Sequence, residues 1–156
     1  MRVGIGHDTH RLQTGRPLIL GGVRIAHARG LVGHSDADVV LHAVTDALLG
    51  AAGLGDIGDR YPDSDPAFKD CDSSRFVRET LEQFNQLGWR IVNLDVIIFA
   101  QEPKLGPLKA QMRRNIAGHL GIDADRVNVK AKTGERVGTI GRGEAISCQV
   151  VVLIDQ

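Results

Sequence analysis

The chain has 156 residues, 42 % of them apolar, which fills one core and falls short of two ordinary domains, so residues 1–156 are expected to form a single domain. Lys plus Arg and Asp plus Glu balance at 19 each, which leaves no global field for nucleic acid or an anionic membrane; any anionic partner has to be held locally. Cys71 and Cys148 form no C-x-x-C pair, the start "MRVGIGHD" has neither a basic n-region nor a long apolar h-region, and no apolar run reaches membrane-spanning length, so a cytoplasmic protein in a reducing compartment is expected.

The first element expected is a strand, because the apolar lead "MRVGI" runs straight into "GHDTHRL". Side chains alternate along a strand, so Asp8 and His10 share one face while His7 and Thr9 take the other. Two metal-type ligands then point together; the plainer reading is a polar loop mouth in which Asp8 accepts nearby amides. "RPLIL" and "VRIA" flank Gly21-Gly22, a pair that tolerates positive φ twice and predicts a tight hairpin.

From Ser35 to about Gly53 the residues Val39, Val40, Ala43, Val44, Ala47, Leu48 and Ala51 recur at helical spacing, with Ser35 and Asp38 as a capping-box-like start. His42 lies on this helix between Asp38 at i−4 and Asp46 at i+4, carboxylates placed to orient a ligating imidazole. Alone it reads as a capped helix with exposed charges. With Asp8 and His10 it completes the three-ligand nitrogen/oxygen set of a catalytic zinc that keeps its fourth position open. His34 and Ser35 precede the same helix, whose free amides predict an anion site. Asp56, Asp63 and Asp65 follow in the Gly- and Pro-broken "GDIGDRYPDSDP", where they are either acceptors for sugar hydroxyls or a solvated acidic turn.

A second helix is predicted over Ser74 to Leu87, stopped by Gly88, and then the strand "RIVNLDVIIFA". A third helix opens at Pro107, runs through Leu108, Met112, Ile116 and Leu120, and stops at Gly121; "RVNVKAKT" and "ISCQVVVLI" are the last strands. Lys104, Lys132, Thr133 and Glu135 fall in loops after strands, where lysines and hydroxyls suit phosphate oxygens and a carboxylate suits a magnesium ion. No P-loop, G-x-S-x-G elbow or dinucleotide fingerprint occurs. The order of elements reads as one α/β layer structure. "DVIIFA" and "VVVLI" are apolar without alternation, yet three helices cover only one sheet face, so the other is expected to be buried against further copies of the chain.

In order and in spacing, "GIGHDTHRL", "HSDADVVLHAVTDALLGAAGLGDIG", "YPDSDPAFK", "AQEPKLGP", "VNVKAKTGE" and "GRGEAI" resemble the 2-C-methyl-D-erythritol 2,4-cyclodiphosphate synthase family over essentially the whole chain. The resemblance implies an α+β sandwich: a mixed four-stranded sheet with an extra hairpin, helices on one face, the other face buried in a homotrimer, and sites shared between neighbours. It implies that Asp8, His10 and His42 hold zinc or another divalent transition metal, and that Glu135 holds a magnesium or manganese ion bridging the substrate diphosphate. His34 and Thr133 would steady the transition state, and Ser35 and Asp56 would hold the erythritol phosphate part. Ile57, Gly58, Tyr61, Asp63 and Asp65 would line the same part of the substrate site. The cytidine pocket maps to Ala100, Pro103, Lys104, Leu105, Ala131 and Lys132, and Arg142 is a further substrate contact.

The implied reaction converts 4-diphosphocytidyl-2-C-methyl-D-erythritol 2-phosphate into the cyclodiphosphate and CMP, a phosphorus-oxygen lyase step of non-mevalonate isoprenoid biosynthesis. It proceeds in the bacterial cytoplasm, or in a plastid or apicoplast after removal of a transit peptide. Three departures stand out. Ala37 replaces a usual Gly, a change expected to be mild; Ala145 replaces another. Thr139 stands where an aromatic often faces a threefold cavity that takes an isoprenoid diphosphate in some members. A zinc phosphohydrolase using metal-bound water and a non-catalytic trimeric isoprenoid-diphosphate binder are the rival readings.

Overall fold

Period-two burial along the first strand organises the molecule. The computed structural model describes all 156 residues. In β1 (Arg2–Thr14) Gly4 and Gly6 are buried while Val3, Ile5 and His7 are exposed. A Cβ on Gly4 would lie 2.1 Å from the Ala47 carbonyl oxygen, and one on Gly6 2.1 Å from that of Ala43. The glycines therefore let helix α1 (Val39–Ala52) rest backbone to backbone on the strand. That close approach brings His42 beside Asp8.

β2 (Leu18–Leu20) and β3 (Val23–Ile25) form the expected hairpin, with Gly21 at φ 59° and Gly22 at φ 71°, as a type I′ turn requires. β4 (Arg29–Leu31) pairs with the end of β1. After α1 come the short α2 (Ile57–Arg60), then α3 (Ser74–Gln86), β5 (Arg90–Phe99), α4 (Lys109–Leu120), β6 (Val127–Lys132), the short α5 (Gly138–Gly141) and β7 (Ala145–Asp155). α4 enters through a 3₁₀ turn at Gly106–Leu108 and ends at the left-handed Gly121.

The main sheet runs β4-β1-β7-β5-β6. β5 and β6 are parallel and the other pairings antiparallel, so the sheet is mixed, as expected. The anticipated four strands are present, and β4 adds a short fifth at the edge. α1 covers β1 and β7, and α3 and α4 extend the same layer. A 36-residue apolar cluster, including Leu48, Phe84, Val96, Ile98, Ile116 and Val150, fills the space between helices and sheet. The opposite sheet face has no helix over it: Val3 is 65 %, Ile5 59 % and Val151 40 % exposed.

One boundary is corrected. α1 starts at Val39, not Ser35, and its cap is Asp38, whose carboxylate accepts from the Val40 and Leu41 amides and also from Gly21 and Gly22 in the hairpin turn. The chain enters the helix through Ala37, buried and left-handed at φ 59°, a conformation that disfavours a Cβ by roughly 1–2 kcal/mol. The alanine here is thus strained rather than mild.

Candidate functional site

The side chains with period-two and helical spacing do converge. Asp8 and His10 project from β1 beneath α1, and His42 comes down from the helix. Asp8 Oδ2 lies 2.9 Å from His42 Nδ1 and 3.0 Å from His10 Nε2, and the two ring nitrogens are 3.1 Å apart. Ligand distances of about 2.0–2.1 Å at tetrahedral angles put donor atoms roughly 3.3 Å apart, so the triangle matches a small divalent ion.

The chemistry of the donors fits such an ion as well. His10 Nδ1 is 2.8 Å from the Val32 carbonyl oxygen. A carbonyl only accepts, so Nδ1 carries the proton and Nε2 presents its lone pair to the cluster. Gly33 leaves room for this, because a Cβ there would stand 3.0 Å from His10 Cε1. His42 Nε2 lies 2.8 Å from Ser73 Oγ and 3.0 Å from Ser35 Oγ, leaving Nδ1 to face Asp8.

Burial opposes charge on Asp8, yet when the facing rings carry a second proton, hydrogen bonds from His10 and His42 and their charge outweigh it and hold the carboxyl well below the usual carboxylate range. Burial likewise lowers His10, but its bond to Asp8 and the charge there leave it raised above 6.5. A negative oxygen and two imidazole nitrogens pressed together attract a cation. Asp8, His10 and His42 are the group that could hold a metal.

The donors open into a cavity of about 510 Å³. His34, Ser35, Ile57, Gly58, Tyr61 and Asp63 also line it. His34 donates from Nε2 to the Asp65 carbonyl oxygen at 3.0 Å. The Tyr61 hydroxyl is turned away to Phe76 O and Thr80 Oγ1, so only its ring faces the cavity. Asp56 and Asp65 are not in the lining: Asp56 caps α2 through the Asp59 amide, and Asp65 caps a 3₁₀ turn through the Ala67 amide.

A second cavity, of about 300 Å³, opens at the C-terminal ends of β5 and β6. Ala100, Pro103, Lys104, Leu105, Ala131 and Lys132 line it together with Thr133. The two cavities share no residue. Thr133 donates to Glu135 Oε1 at 2.6 Å, and Glu135 is exposed at φ 48°, apart from the Asp8 cluster. Arg142 lines neither cavity and is paired with Glu144 at 2.7 Å.

Two expectations about His42 are corrected. Neither Asp38 nor Asp46 touches its ring: Asp38 is spent on four amides, and Asp46 accepts from the Ile57 amide at 3.3 Å, holding α2 against the cavity. The helix N-terminus is likewise no anion site, since Asp38 already occupies its amides. The partners of its Nε2 are Ser35 and Ser73, and Asp36 stands behind Ser73. Ser73 and Asp36 escaped the sequence reading because "DSS" before α3 looks like ordinary capping.

The sequence profile of the YgbB family matches residues 1–155. A 2-C-methyl-D-erythritol 2,4-cyclodiphosphate synthase of Bordetella avium (strain 197N) is 58 % identical over 153 residues, covering 98 % of this chain and 94 % of the relative. Among solved structures, the bifunctional IspDF from Campylobacter jejuni matches with a TM-score of 0.94 at 44 % identity, over 98 % of this chain but 42 % of that one, so this chain spans less than half of the bifunctional protein. A CDP-bound 2C-methyl-D-erythritol-2,4-cyclodiphosphate synthase matches with a TM-score of 0.91 at 36 % identity, over 99 % of this chain and 100 % of that one.

Proposed function

Because the chain belongs to the YgbB family of 2-C-methyl-D-erythritol 2,4-cyclodiphosphate synthases, we propose how its residues divide the work of that synthesis. Its function is formation of the 2,4-cyclodiphosphate in isoprenoid precursor biosynthesis. The finer reading is a cyclising, CMP-releasing phosphorus-oxygen lyase acting on 4-diphosphocytidyl-2-C-methyl-D-erythritol 2-phosphate, carried by residues 1–156 as one catalytic domain in the cytoplasm. An oxygen of the 2-phosphate attacks the β-phosphorus, the bond from that phosphorus to the α-β bridging oxygen breaks, and CMP departs with the oxygen. No protein nucleophile is needed, so the chain's task is to bend the substrate and neutralise its oxygens.

The observation that carries this reading is the convergence of Asp8 Oδ2, His10 Nε2 and His42 Nδ1 at the floor of a cavity wide enough for a phosphorylated polyol. Bound there, zinc would supply Lewis-acid charge neutralisation to phosphate oxygens. Ser35 and His34 hold the erythritol phosphate end, Asp63 the hydroxyls, and Ile57 with the Tyr61 ring gives the carbon skeleton an apolar wall. In the second cavity Ala100, Pro103, Leu105 and Ala131 seat the cytidine, and Lys104, Lys132 and Thr133 face the diphosphate. Glu135 would hold a magnesium or manganese ion.

Since the two cavities share no residue, the complete site is formed where copies meet. The uncovered apolar face of Val3, Ile5 and Val151 is the surface on which three copies assemble. The test is product analysis by ³¹P NMR with the cytidyl substrate in ¹⁸O-water. Cyclodiphosphate and CMP in equal amounts, both free of ¹⁸O, are expected. Open-chain products carrying ¹⁸O would replace this reading with the zinc phosphohydrolase.

A further inference from the structure

We propose that Ser73, backed by Asp36, is a positioning residue of the metal centre: it fixes the tautomer and tilt of His42 and frees the Ser35 hydroxyl for an anionic ligand. The inference rests on the metal reading above and assigns roles to two residues outside the ligand set.

Ser73 occupies the position before α3 where a serine ordinarily accepts a helix amide, yet it makes no capping bond. It is fully buried, and its hydroxyl is directed elsewhere. Ser73 Oγ lies 2.5 Å from Asp36 Oδ1, 2.8 Å from His42 Nε2 and 3.2 Å from Ser35 Oγ. A hydroxyl has one proton, and a carboxylate only accepts. Asp36 also takes the Ser73 amide on Oδ2 and the Asp38 amide on Oδ1, so it acts as acceptor throughout and the Ser73 proton goes to it.

What remains on Ser73 Oγ is lone pairs. The contact at 2.8 Å is then satisfied only if His42 donates from Nε2; Nδ1 is left to meet Asp8 Oδ2 at 2.9 Å lone pair to lone pair, an arrangement that a cation held between them would satisfy. The chain from carboxylate through serine to imidazole both orients the ring and raises its basicity as a ligand.

The backbone makes this arrangement stiff. Asp36 N donates to Cys71 O at 3.0 Å, and Asp70 N to His34 O at 2.7 Å. Residues 70–73 are thereby clipped to residues 34–36, which fixes the backbone from which the Ser73 hydroxyl projects. Ser35 is left with the opposite role. Its Oγ accepts the Ala37 amide at 3.2 Å, and its proton, which His42 does not require, has only the long 3.2 Å contact to Ser73 Oγ within the chain. Ser35 lines the cavity and Ser73 does not. The Ser35 hydroxyl is accordingly the one able to turn toward a phosphate oxygen.

The experiment compares the full-length wild type with Ser73→Ala, Asp36→Asn and Ser35→Ala. It measures zinc affinity by competition with a chromogenic chelator, imidazole ¹⁵N shifts by NMR, and KM for the cytidyl substrate. Ser73→Ala is expected to weaken zinc about 10- to 100-fold and to shift the zinc-free His42 ring away from the Nε2–H form. Ser35→Ala is expected to raise KM while zinc affinity and tautomer stay as in the wild type. Asp36→Asn keeps the side-chain shape and should move the same two signals as Ser73→Ala by a smaller factor, so the inference stays testable if Ser73→Ala fails to fold. A merely structural role would change thermal stability and leave the tautomer alone. Wild-type zinc affinity and an unchanged His42 tautomer in Ser73→Ala, or a larger zinc loss in Ser35→Ala, would overturn the assignment. A wild type that binds no divalent ion would instead overturn the metal reading on which it rests.

Discussion

The two cavities of this chain are built in opposite ways. In the larger one, each histidine is tied to the scaffold through its second nitrogen or its partner groups: His10 to Val32, His34 to Asp65, His42 to Ser73. In the smaller one, Lys104, Lys132, Thr133 and the neighbouring Glu135 are all exposed, and the Thr133 side chain has only Glu135 for company. The end bearing Asp8, His10 and His42 is thus organised before anything binds, with donors that could hold a metal already in place. The other end offers exposed cations and a loop whose side chains make few contacts within the chain.

The most severe way to break the contrast is His42→Ala. Two ligands do not hold zinc firmly with an open position, so zinc per chain should fall toward zero and turnover by about a thousandfold or more. CDP binding by calorimetry should survive, because the second cavity shares nothing with the first. Lys132→Ala should do the reverse, keeping full zinc and raising KM. Equal zinc content in His42→Ala and wild type would mean that the triangle is not a metal site.

A smaller separation comes from pH. Zinc binds the unprotonated ring, and His10 is raised above 6.5 by its bond to Asp8, with the charge there adding to it, against the lowering effect of burial. Proton competition therefore sets in above pH 6.5 and deepens as pH falls, by about tenfold in zinc affinity per unit. The stabilisation that the protonated His10 gives the zinc-free fold runs the other way. It is complete below pH 6.5 and lost as pH rises through the raised value. The gain in Tm on adding zinc should consequently grow with pH. A zinc affinity flat from pH 5.5 to 7.5 would show that His10 is no ligand.

The gentlest change concerns the entry to α1. Ala37→Gly releases the left-handed strain at φ 59° and should raise the denaturant midpoint by an amount worth up to about 1 kcal/mol, without altering zinc content. A lower midpoint would show that the buried methyl outweighs the strain.

Asp8 and His10 were legible in the sequence because alternation on a strand is local, and His42 because a helix repeats every turn. The hairpin was legible in Gly21-Gly22, since few other pairs accept that turn. The companions of His42 were not. α1 is buried on nearly every side, so a residue one turn away meets a different neighbour, and Asp46 faces Ile57 rather than the ring. Ser73 reaches His42 from 31 residues away, through a loop closure that no local pattern announces. Ser35 resembled a cap because a left-handed Ala37 is not anticipated from an alanine. β4, three residues including Gly30, is too short to show a period.

Gly4 and Gly6 carry one more consequence. By letting a helix carbonyl sit where side chains would otherwise stand, they turn the gap between strand and helix into a calliper, one jaw bearing Asp8 and His10 and the other His42. The setting of its jaws is then a property of main-chain contact, insensitive to side-chain repacking elsewhere in the core. A methyl group on either glycine would stand 2.1 Å from a helix carbonyl oxygen, so the helix would have to lift and carry His42 away from Asp8 and His10.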